Sequence, residues 1–312
     1  MPPDPEEQYN FRPDRYEVIL DSPNYRDVEI NEKAKRKGYI VPLVLFIITV
    51  FSTLFAGAIQ QGVNPIRNPV GILTGIPFSF TLLLILGTHE FSHYFFSKMH
   101  GVSVTLPYFI PSPFPPVGTF GAFIKMKSPI LTKEALIDIG ISGPIGGFIV
   151  SIIAVMVGLN LSTVVPVGVF EGVKLGSPLI FEWLSRITVG APKEGYDILL
   201  HPVAFAGWIG LFVTSLNLFP IGQLDGGHIA YAILGERQRV ISIIMIPVLL
   251  TLGLYGGWPG WYVWAVLASI LGLRHPPILD PEIPLDKRHR LLGVTALAMF
   301  AITFIPIPFS FS

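Results

Sequence analysis

The sequence predicts an all-α protein that crosses a membrane several times, and three observations lead to this prediction. Of its 312 residues, 51% are hydrophobic and only 13% are charged, whereas soluble globular proteins carry roughly 25% charged residues. The hydrophobic residues gather into runs close to the 20 or so residues that a helix needs to cross a bilayer. The basic residues are distributed unequally between the segments that connect these runs, as is typical of multi-pass membrane proteins.

About seven apolar runs, with six and eight as the alternatives, are predicted to form transmembrane helices. They are Tyr39–Ile59, Gly75–Met99, Ala135–Gly158, Pro202–Pro220, Val240–Tyr255, Trp258–Leu273 and Leu291–Phe309. The fifth and sixth runs are short and are separated by a turn rich in glycine, so a re-entrant pair is an alternative to two full crossings. The two longest connections, 101–133 and 159–201, are too short for a further domain of ordinary size.

The positions of lysine and arginine orient the predicted helices. If the N-terminus is cytoplasmic, seventeen of the 21 basic residues lie in cytoplasmic segments and four lie on the opposite side. This asymmetry agrees with the positive-inside rule. Segment 1–38 resembles neither a transit peptide nor a secretory signal. We therefore expect a cytoplasmic tail and a prokaryotic, archaeal, plasma membrane.

Charge and cysteine content exclude several classes of function. The formal net charge is zero, so no overall field attracts nucleic acid, and no nucleic-acid partner is expected. The absence of cysteine from the sequence excludes disulfides, thiolate zinc sites and a cysteine nucleophile. Any metal must therefore be bound by nitrogen and oxygen atoms.

The second apolar run contains the pattern H-E-x-x-H, formed by His89, Glu90 and His93. Residues four apart lie on one face of a helix, so His89 and His93 are able to present two imidazoles to one metal ion. Glu90 is then close enough to accept a proton from a water that the metal activates. Ionisable residues inside a membrane span are costly and usually functional, so this pattern predicts a zinc site.

Two histidines leave a catalytic zinc one protein ligand short. The stretch from Asn217 to His228, which follows the fourth run, offers Asp225 and His228 as the third ligand. The distribution of basic residues places this stretch and the end of the second run on the same side of the membrane. The residues alone leave the choice between Asp225 and His228 open.

The connection between the second and third runs is predicted to contain a strand. Its prolines prevent a helix, and Thr119–Lys127 alternates so that Phe120, Ala122, Ile124 and Met126 share one face. Extended backbone at membrane depth must be buried in protein or line a wet cavity. A free strand edge there is able to bind a substrate backbone by strand addition.

Other polar and small residues are given structural roles. Glu134 and Asp138 suit the positive end of the third helix, and a Gly143–Gly147 pair favours close helix packing. Four histidines lie at or beyond the ends of the runs and are expected to be solvated: His100, His201, His275 and His289.

The paired motifs resemble those of the site-2 protease family of intramembrane zinc metalloproteases. These motifs are H-E-x-x-H and the N-x-x-P-x-x-x-L-D-G of Asn217–Gly226. Segments 118–124 and 138–147 look like the branch without a PDZ domain that archaea, bacteria and plastids share. The resemblance implies one Zn²⁺ per chain, with Asp225 as the third ligand and Asn217 contacting the substrate backbone. The predicted substrate edge is Gly121, Ala122, Phe123 and Ile124.

The implied activity is hydrolysis of peptide bonds in or near the membrane segments of single-span proteins within the lipid bilayer. The corresponding domains are a tail at 1–38, a first helix and its connection at 39–74, a protease core at 75–235 and accessory helices at 236–312. The oligomeric state stays open. One alternative is an inactive relative that binds partner helices as a scaffold, which the intact Glu90 disfavours. A metal transporter would want ionisable groups along several spans, and a prenyl-protein endopeptidase would want a later intramembrane glutamate.

Overall fold

The computed structural model describes residues 32–114, 116–167, 173–190 and 192–311, and the predicted polar tail lies largely outside them. The described residues form nine α-helices and a few short strands, which confirms the predicted fold class. The chain divides into a unit at 1–41 and a larger unit at 42–312. In the smaller unit, the described residues belong to the beginning of the first helix.

The helices have the following bounds: α1 Glu32–Gln60, α2 Ile76–Met99, α3 Lys133–Asn160, α4 Leu179–Thr188, α5 Pro202–Asn217, α6 Asp225–Leu234, α7 Gln238–Gly256, α8 Gly260–Leu271 and α9 Lys287–Thr303. Short 3₁₀ turns precede α2 and α7. Several helices begin at a clear local signal. Thr132, for example, caps α3 by accepting a hydrogen bond from the backbone N–H of Ala135 at 3.1 Å.

Within the described residues, four helical stretches are long and apolar enough to cross a membrane: Gly38–Gln60, Pro69–Met99, Lys133–Asn160 and Asp225–Gly256. Two shorter apolar helices lie at Pro202–Asn217 and Gly260–Ile270. The protein is therefore a multi-pass membrane protein. Seven crossings, and the re-entrant alternative for the fifth and sixth runs, stay predictions.

The last predicted apolar run extends beyond the helix that the structure shows. Helix α9 ends at Thr303 instead of continuing to Phe309. Pro306 and Pro308 follow, and proline lacks the N–H that a continuing helix needs. The chain after them forms a short strand.

The strands in the described ranges form three separate antiparallel pairs. Their bounds are β1 Tyr108–Pro111, β2 Thr119–Phe123, β3 Thr163–Pro166, β4 Val173–Leu175, β5 Tyr196–Leu199 and β6 Phe309–Phe311. The pairs are β1 with β2, β3 with β5 and β4 with β6. The connection 159–201 thus contains three strands and α4, which buries Phe181 and Leu184.

Helix α3 lies at the centre of the larger unit, where it packs against α2, α5 and α6. Leu136 on α3, Phe78 on α2 and Trp208 on α5 are fully buried in this region. Gly158 permits the close approach of α3 to α5, because a Cβ there would overlap the backbone of Ala204. The core is therefore built around backbone contacts as well as large side chains.

The β1–β2 hairpin is held against α1 by two side chains. The hydroxyl of Ser52 donates to the Gly118 carbonyl at 2.6 Å, and the Gln60 amide donates to the Pro116 carbonyl at 2.6 Å. Both acceptors lie in the turn that joins the two strands. These bonds fix the far end of the hairpin.

Candidate metal centre

Helix α2 contributes three buried ionisable side chains to the interior of the bundle. His89, Glu90 and His93 are 4%, 6% and 6% exposed. Burial of a carboxylate without a compensating charge is strongly unfavourable. The positions of these residues therefore call for a positive partner nearby.

Asp225 is the first residue of α6, so the later motif begins a helix that the sequence did not predict. The chain turns sharply just before it. Gly226 and Gly227 fit into this turn because a Cβ at either position would overlap the backbone carbonyls of residues 218–222. The turn directs the Asp225 carboxylate toward α2.

The side chains of His89, His93 and Asp225 converge, although their sequence positions are far apart. The Nε2 atoms of the two histidines lie 3.1 Å apart. Asp225 Oδ2 lies 3.2 Å from His89 Nε2, and Asp225 Oδ1 lies 3.2 Å from His93 Nε2. The structure thus brings together the three residues that the motifs and the resemblance nominated as metal ligands.

The hydrogen bonding of this cluster fits a bound cation. His93 donates from Nδ1 to the Ile139 carbonyl at 2.7 Å, so in the neutral ring its Nε2 carries a lone pair. Asp225 Oδ2 is buried without a hydrogen-bond donor among the described residues. Lone pairs and a carboxylate therefore face one another across about 3 Å, and two imidazoles with one carboxylate form a donor set that zinc prefers.

Glycines on α3 make the space for the histidines. A Cβ at Gly143 would overlap the imidazole of His93, and one at Gly147 would lie 3.1 Å from His89 Nδ1. The spacing of this pair predicts close helix packing. The structure adds what packs there, which is the rings of His89 and His93. The spacing of three and four residues between the glycines of this span is the sequence signal that could have indicated this contact.

The strand after the turn of the hairpin carries a bulge. Ile110 pairs with Gly121, but Pro111 pairs with Thr119, which leaves Phe120 without a partner in the register. Phe120 is 68% exposed, so the prediction that it shares a face with Ala122 and Ile124 is wrong. The bulge rotates it outward, and Gly121 accommodates the bend with a φ of 104°.

The segment from β2 to Lys127 has two edges: one faces α2, and the other is bonded to the chain at Ser103 and Thr105. The Lys127 N–H donates to the Ser103 carbonyl at 2.7 Å, and the Thr105 N–H donates to the Lys125 carbonyl at 3.0 Å. Because the N–H groups of a strand alternate in direction, those of Ala122 and Ile124 point to the opposite edge. Strand β2 contacts α2, the helix that carries Glu90.

Asn217 lies at the C-terminal end of α5, beside the same cluster. Its Nδ2 atom lies 3.2 Å from His89 Nε2. His228 behaves differently, because its Nδ1 lies 2.6 Å from His275 Nε2 and it is not one of the three converging residues. His228, which the sequence left open as a possible third metal ligand, thus pairs with another histidine instead.

One histidine that was expected to be solvated is buried. His289 is 7% exposed, because the beginning of α9 docks on the beginning of α3, where Glu134 and Asp138 lie. The sequence gives no direct sign of this contact. The prediction for His289 is therefore wrong.

Comparisons with known proteins agree with the chemistry of this cluster. The model of the family described as peptidase family M50 matches residues 77–254. The chain is 31% identical over 248 residues to "Probable zinc metalloprotease EGY2, chloroplastic" of Arabidopsis thaliana, covering 76% of this chain and 43% of that protein. It is 29% identical over 300 residues to "Probable zinc metalloprotease EGY1, chloroplastic" of the same plant, covering 86% and 53%.

A rice protein extends the comparison. "Probable zinc metalloprotease EGY3, chloroplastic" of Oryza sativa subsp. indica is 26% identical over 304 residues, covering 89% of this chain and 50% of that protein. The chain spans about half the length of the curated relatives it matches. No solved structure is significantly similar to it.

Proposed function

Because this chain belongs to peptidase family M50, we propose that it is an intramembrane zinc metalloprotease that hydrolyses peptide bonds in or near the membrane segments of single-span proteins. Membership confirms the site-2 protease resemblance that the two motifs indicated. The observation that supports the activity most directly is the convergence of His89, His93 and Asp225 beside Glu90. These residues lie on helices of a strongly apolar chain.

We assign the binding of one zinc ion to His89, His93 and Asp225. When bound, zinc supplies a Lewis acid that polarises a peptide carbonyl and makes nearby water more acidic. The chain prepares the site in two ways. The Ile139 carbonyl fixes the tautomer of His93, and the glycines of α3 leave room for both imidazoles.

Glu90 is assigned the role of general base. Its carboxylate takes a proton from the attacking water, whose oxygen bonds to the carbonyl carbon of the substrate. The carbon–nitrogen bond of the peptide then breaks, and Glu90 passes the proton to the leaving amine nitrogen. The helix that carries Glu90 contacts β2, so the base lies on an element next to the proposed substrate edge.

We assign substrate binding to the edge formed by 121–124 and to Asn217. A transmembrane helix hides its peptide groups in internal hydrogen bonds, so the substrate must unwind before hydrolysis. The N–H groups of Ala122 and Ile124 point away from β1, and this direction suits pairing with an extended substrate segment. The Asn217 amide, 3.2 Å from His89 Nε2, is close enough to contact the substrate backbone next to the metal.

The distribution of basic residues supports a cytoplasmic N-terminus and cleavage near the cytoplasmic side. The archaeal plasma membrane stays a prediction, and the three relatives named above are described as chloroplast proteins.

The proposed function is tested by reconstituting the purified chain in liposomes with a single-span substrate. We expect cleavage that 1,10-phenanthroline abolishes and that added Zn²⁺ restores. A substrate whose membrane segment is fused to two different tags identifies both products. Cleavage that survives the chelator, while atomic absorption confirms that the zinc has been removed, would refute the metalloprotease assignment.

A further inference from the structure

A second cluster of histidine and carboxylate side chains lies where the beginning of α9 docks on the beginning of α3. We propose that Glu134, Asp286 and His289 bind a second divalent cation, with Zn²⁺ as the best match. The cluster shares no residue with the site of His89 and His93.

The geometry of the three side chains fits one ion. His289 Nδ1 lies 2.6 Å from Asp286 Oδ1 and 3.8 Å from Glu134 Oε1. The three candidate ligand atoms all lie within 4.8 Å of one another. Zinc binds nitrogen and oxygen at about 2.0–2.2 Å, which places tetrahedral ligand atoms roughly 3.4 Å apart. The two distances from Nδ1 lie on either side of that spacing, so a bound ion would replace the hydrogen bond between Nδ1 and Asp286 Oδ1 and draw Glu134 closer.

The other nitrogen of His289 is arranged as in known metal sites. Its Nε2 lies 3.5 Å from Asp138 Oδ1, and Asp138 Oδ2 lies 3.0 Å from His100 Nε2. Histidines that bind a metal usually direct their second ring nitrogen toward a carboxylate, which fixes the tautomer and strengthens the ligand. Asp138 supplies that carboxylate, and His100 holds it in position.

The charge balance also favours a divalent ion. Three carboxylates, those of Glu134, Asp138 and Asp286, surround the His289 ring, which is 7% exposed. In the described parts of the chain, no lysine or arginine comes within 4.0 Å of them to form an ion pair. A divalent cation would offset two of these three negative charges.

Asp286 has a structural role as well. Its Oδ1 accepts a hydrogen bond from the His289 backbone N–H at 2.7 Å and so caps α9. Capping accounts for Asp286, and the beginning of α3 suits Glu134 and Asp138, but neither role requires a buried imidazole between the three carboxylates. The cap also supplies a useful variant, since asparagine caps helices about as well as aspartate while losing the charge.

The proposal is tested by counting zinc in the full chain. The protein is purified in detergent, stripped of metal, loaded with ZnCl₂ and desalted, and its zinc is measured by mass spectrometry. We expect two equivalents in the wild type and one in Asp286→Asn. The control Lys287→Ala, which changes a neighbouring residue that is not a proposed ligand, should retain two.

A variant that lacks the first site isolates the second one. In His93→Ala/Asp225→Ala we expect one equivalent of zinc and a melting temperature that rises on adding Zn²⁺. Adding Asp286→Asn should remove both the equivalent and the rise. A His93→Ala/Asp225→Ala protein that is folded, binds no zinc and does not shift its melting temperature would overturn the proposal, since the cluster would then be a protonated ion-pair network. This result leaves the protease assignment untouched.

Discussion

Gly143 lies against the imidazole of His93, so close that any side chain at this position would overlap the ring at Nε2. The ring cannot easily move away, because its Nδ1 donates a hydrogen bond to the Ile139 carbonyl at 2.7 Å. The backbone of α3 therefore acts as the wall of the proposed zinc site. This relationship leads to the first prediction.

Gly143→Ala should weaken zinc binding at the first site by about tenfold or more, in the range seen when residues that orient metal ligands are changed. Cleavage should fall with it. The measurement is zinc content against free zinc, together with the rate on a single-span substrate. Gly87→Ala is the matched control, because a Cβ there meets nothing within 4 Å. Unchanged zinc affinity in Gly143→Ala would contradict the inference that the backbone of α3 holds the His93 ring in place.

Glu90→Gln should abolish cleavage without removing zinc. The substitution keeps the shape of the side chain but removes the base, and general bases contribute roughly 10²- to 10⁴-fold to rate. Zinc content and the rate of substrate cleavage are measured on the same preparation. Loss of an equivalent of zinc would make Glu90 a ligand, and retained activity would contradict the proposed mechanism.

Asp225→Ala should lose one equivalent of zinc and all cleavage, whereas His228→Ala should keep both near the wild-type level. The reason is that Asp225 lies 3.2 Å from Nε2 of both His89 and His93, while His228 is hydrogen-bonded to His275. The two variants are compared by zinc analysis and activity. The opposite pattern, with zinc lost only from His228→Ala, would show that the ligand assignment is wrong.

Proline substitutions separate the two edges of the strand that follows the hairpin turn. Ala122→Pro and Ile124→Pro each remove an N–H that points away from β1, so cleavage should fall by about tenfold, the equivalent of one hydrogen bond of roughly 1.4 kcal/mol. Phe123→Pro removes an N–H that points toward β1 and should instead lower the melting temperature. Ile124→Ala spares the backbone and should have a milder effect than Ile124→Pro.

Rates, zinc content and melting temperatures of these four variants decide the question. Equal damage from Ile124→Ala and Ile124→Pro would indicate a side-chain pocket in place of backbone pairing. Loss of zinc from Ala122→Pro would mean that the segment merely supports the fold.

Much of the site could be predicted from the sequence because two constraints act together. The spacing of His89 and His93 places both on one helix face, and the distribution of basic residues places Asp225 on the same side of the membrane. Both constraints can be evaluated along the chain without knowing which helices are neighbours. They were sufficient to nominate three residues that the structure brings together.

The features that escaped prediction depend on which helices are neighbours. Nothing in the run containing Gly143 specifies that α2 lies against it, and His289 looked solvated because its burial requires α9 to dock on α3. The helix that begins at Asp225 was missed for a different reason. Its second and third residues are glycines, which disfavour a helix by intrinsic preference but are required here by the close backbone of residues 218–222.

The division of the proposed zinc ligands between two helices has a consequence for how the protein is handled. His89 and His93 come from α2 and Asp225 comes from the beginning of α6, so the ion would act as a cross-link between distant parts of the chain. The entropic cost of closing such a cross-link is small only while α3 holds α2 and α6 in their relative positions. The rate at which zinc escapes to a chelator should therefore report on the integrity of the bundle. It offers a way to rank detergents and lipids before any substrate is known.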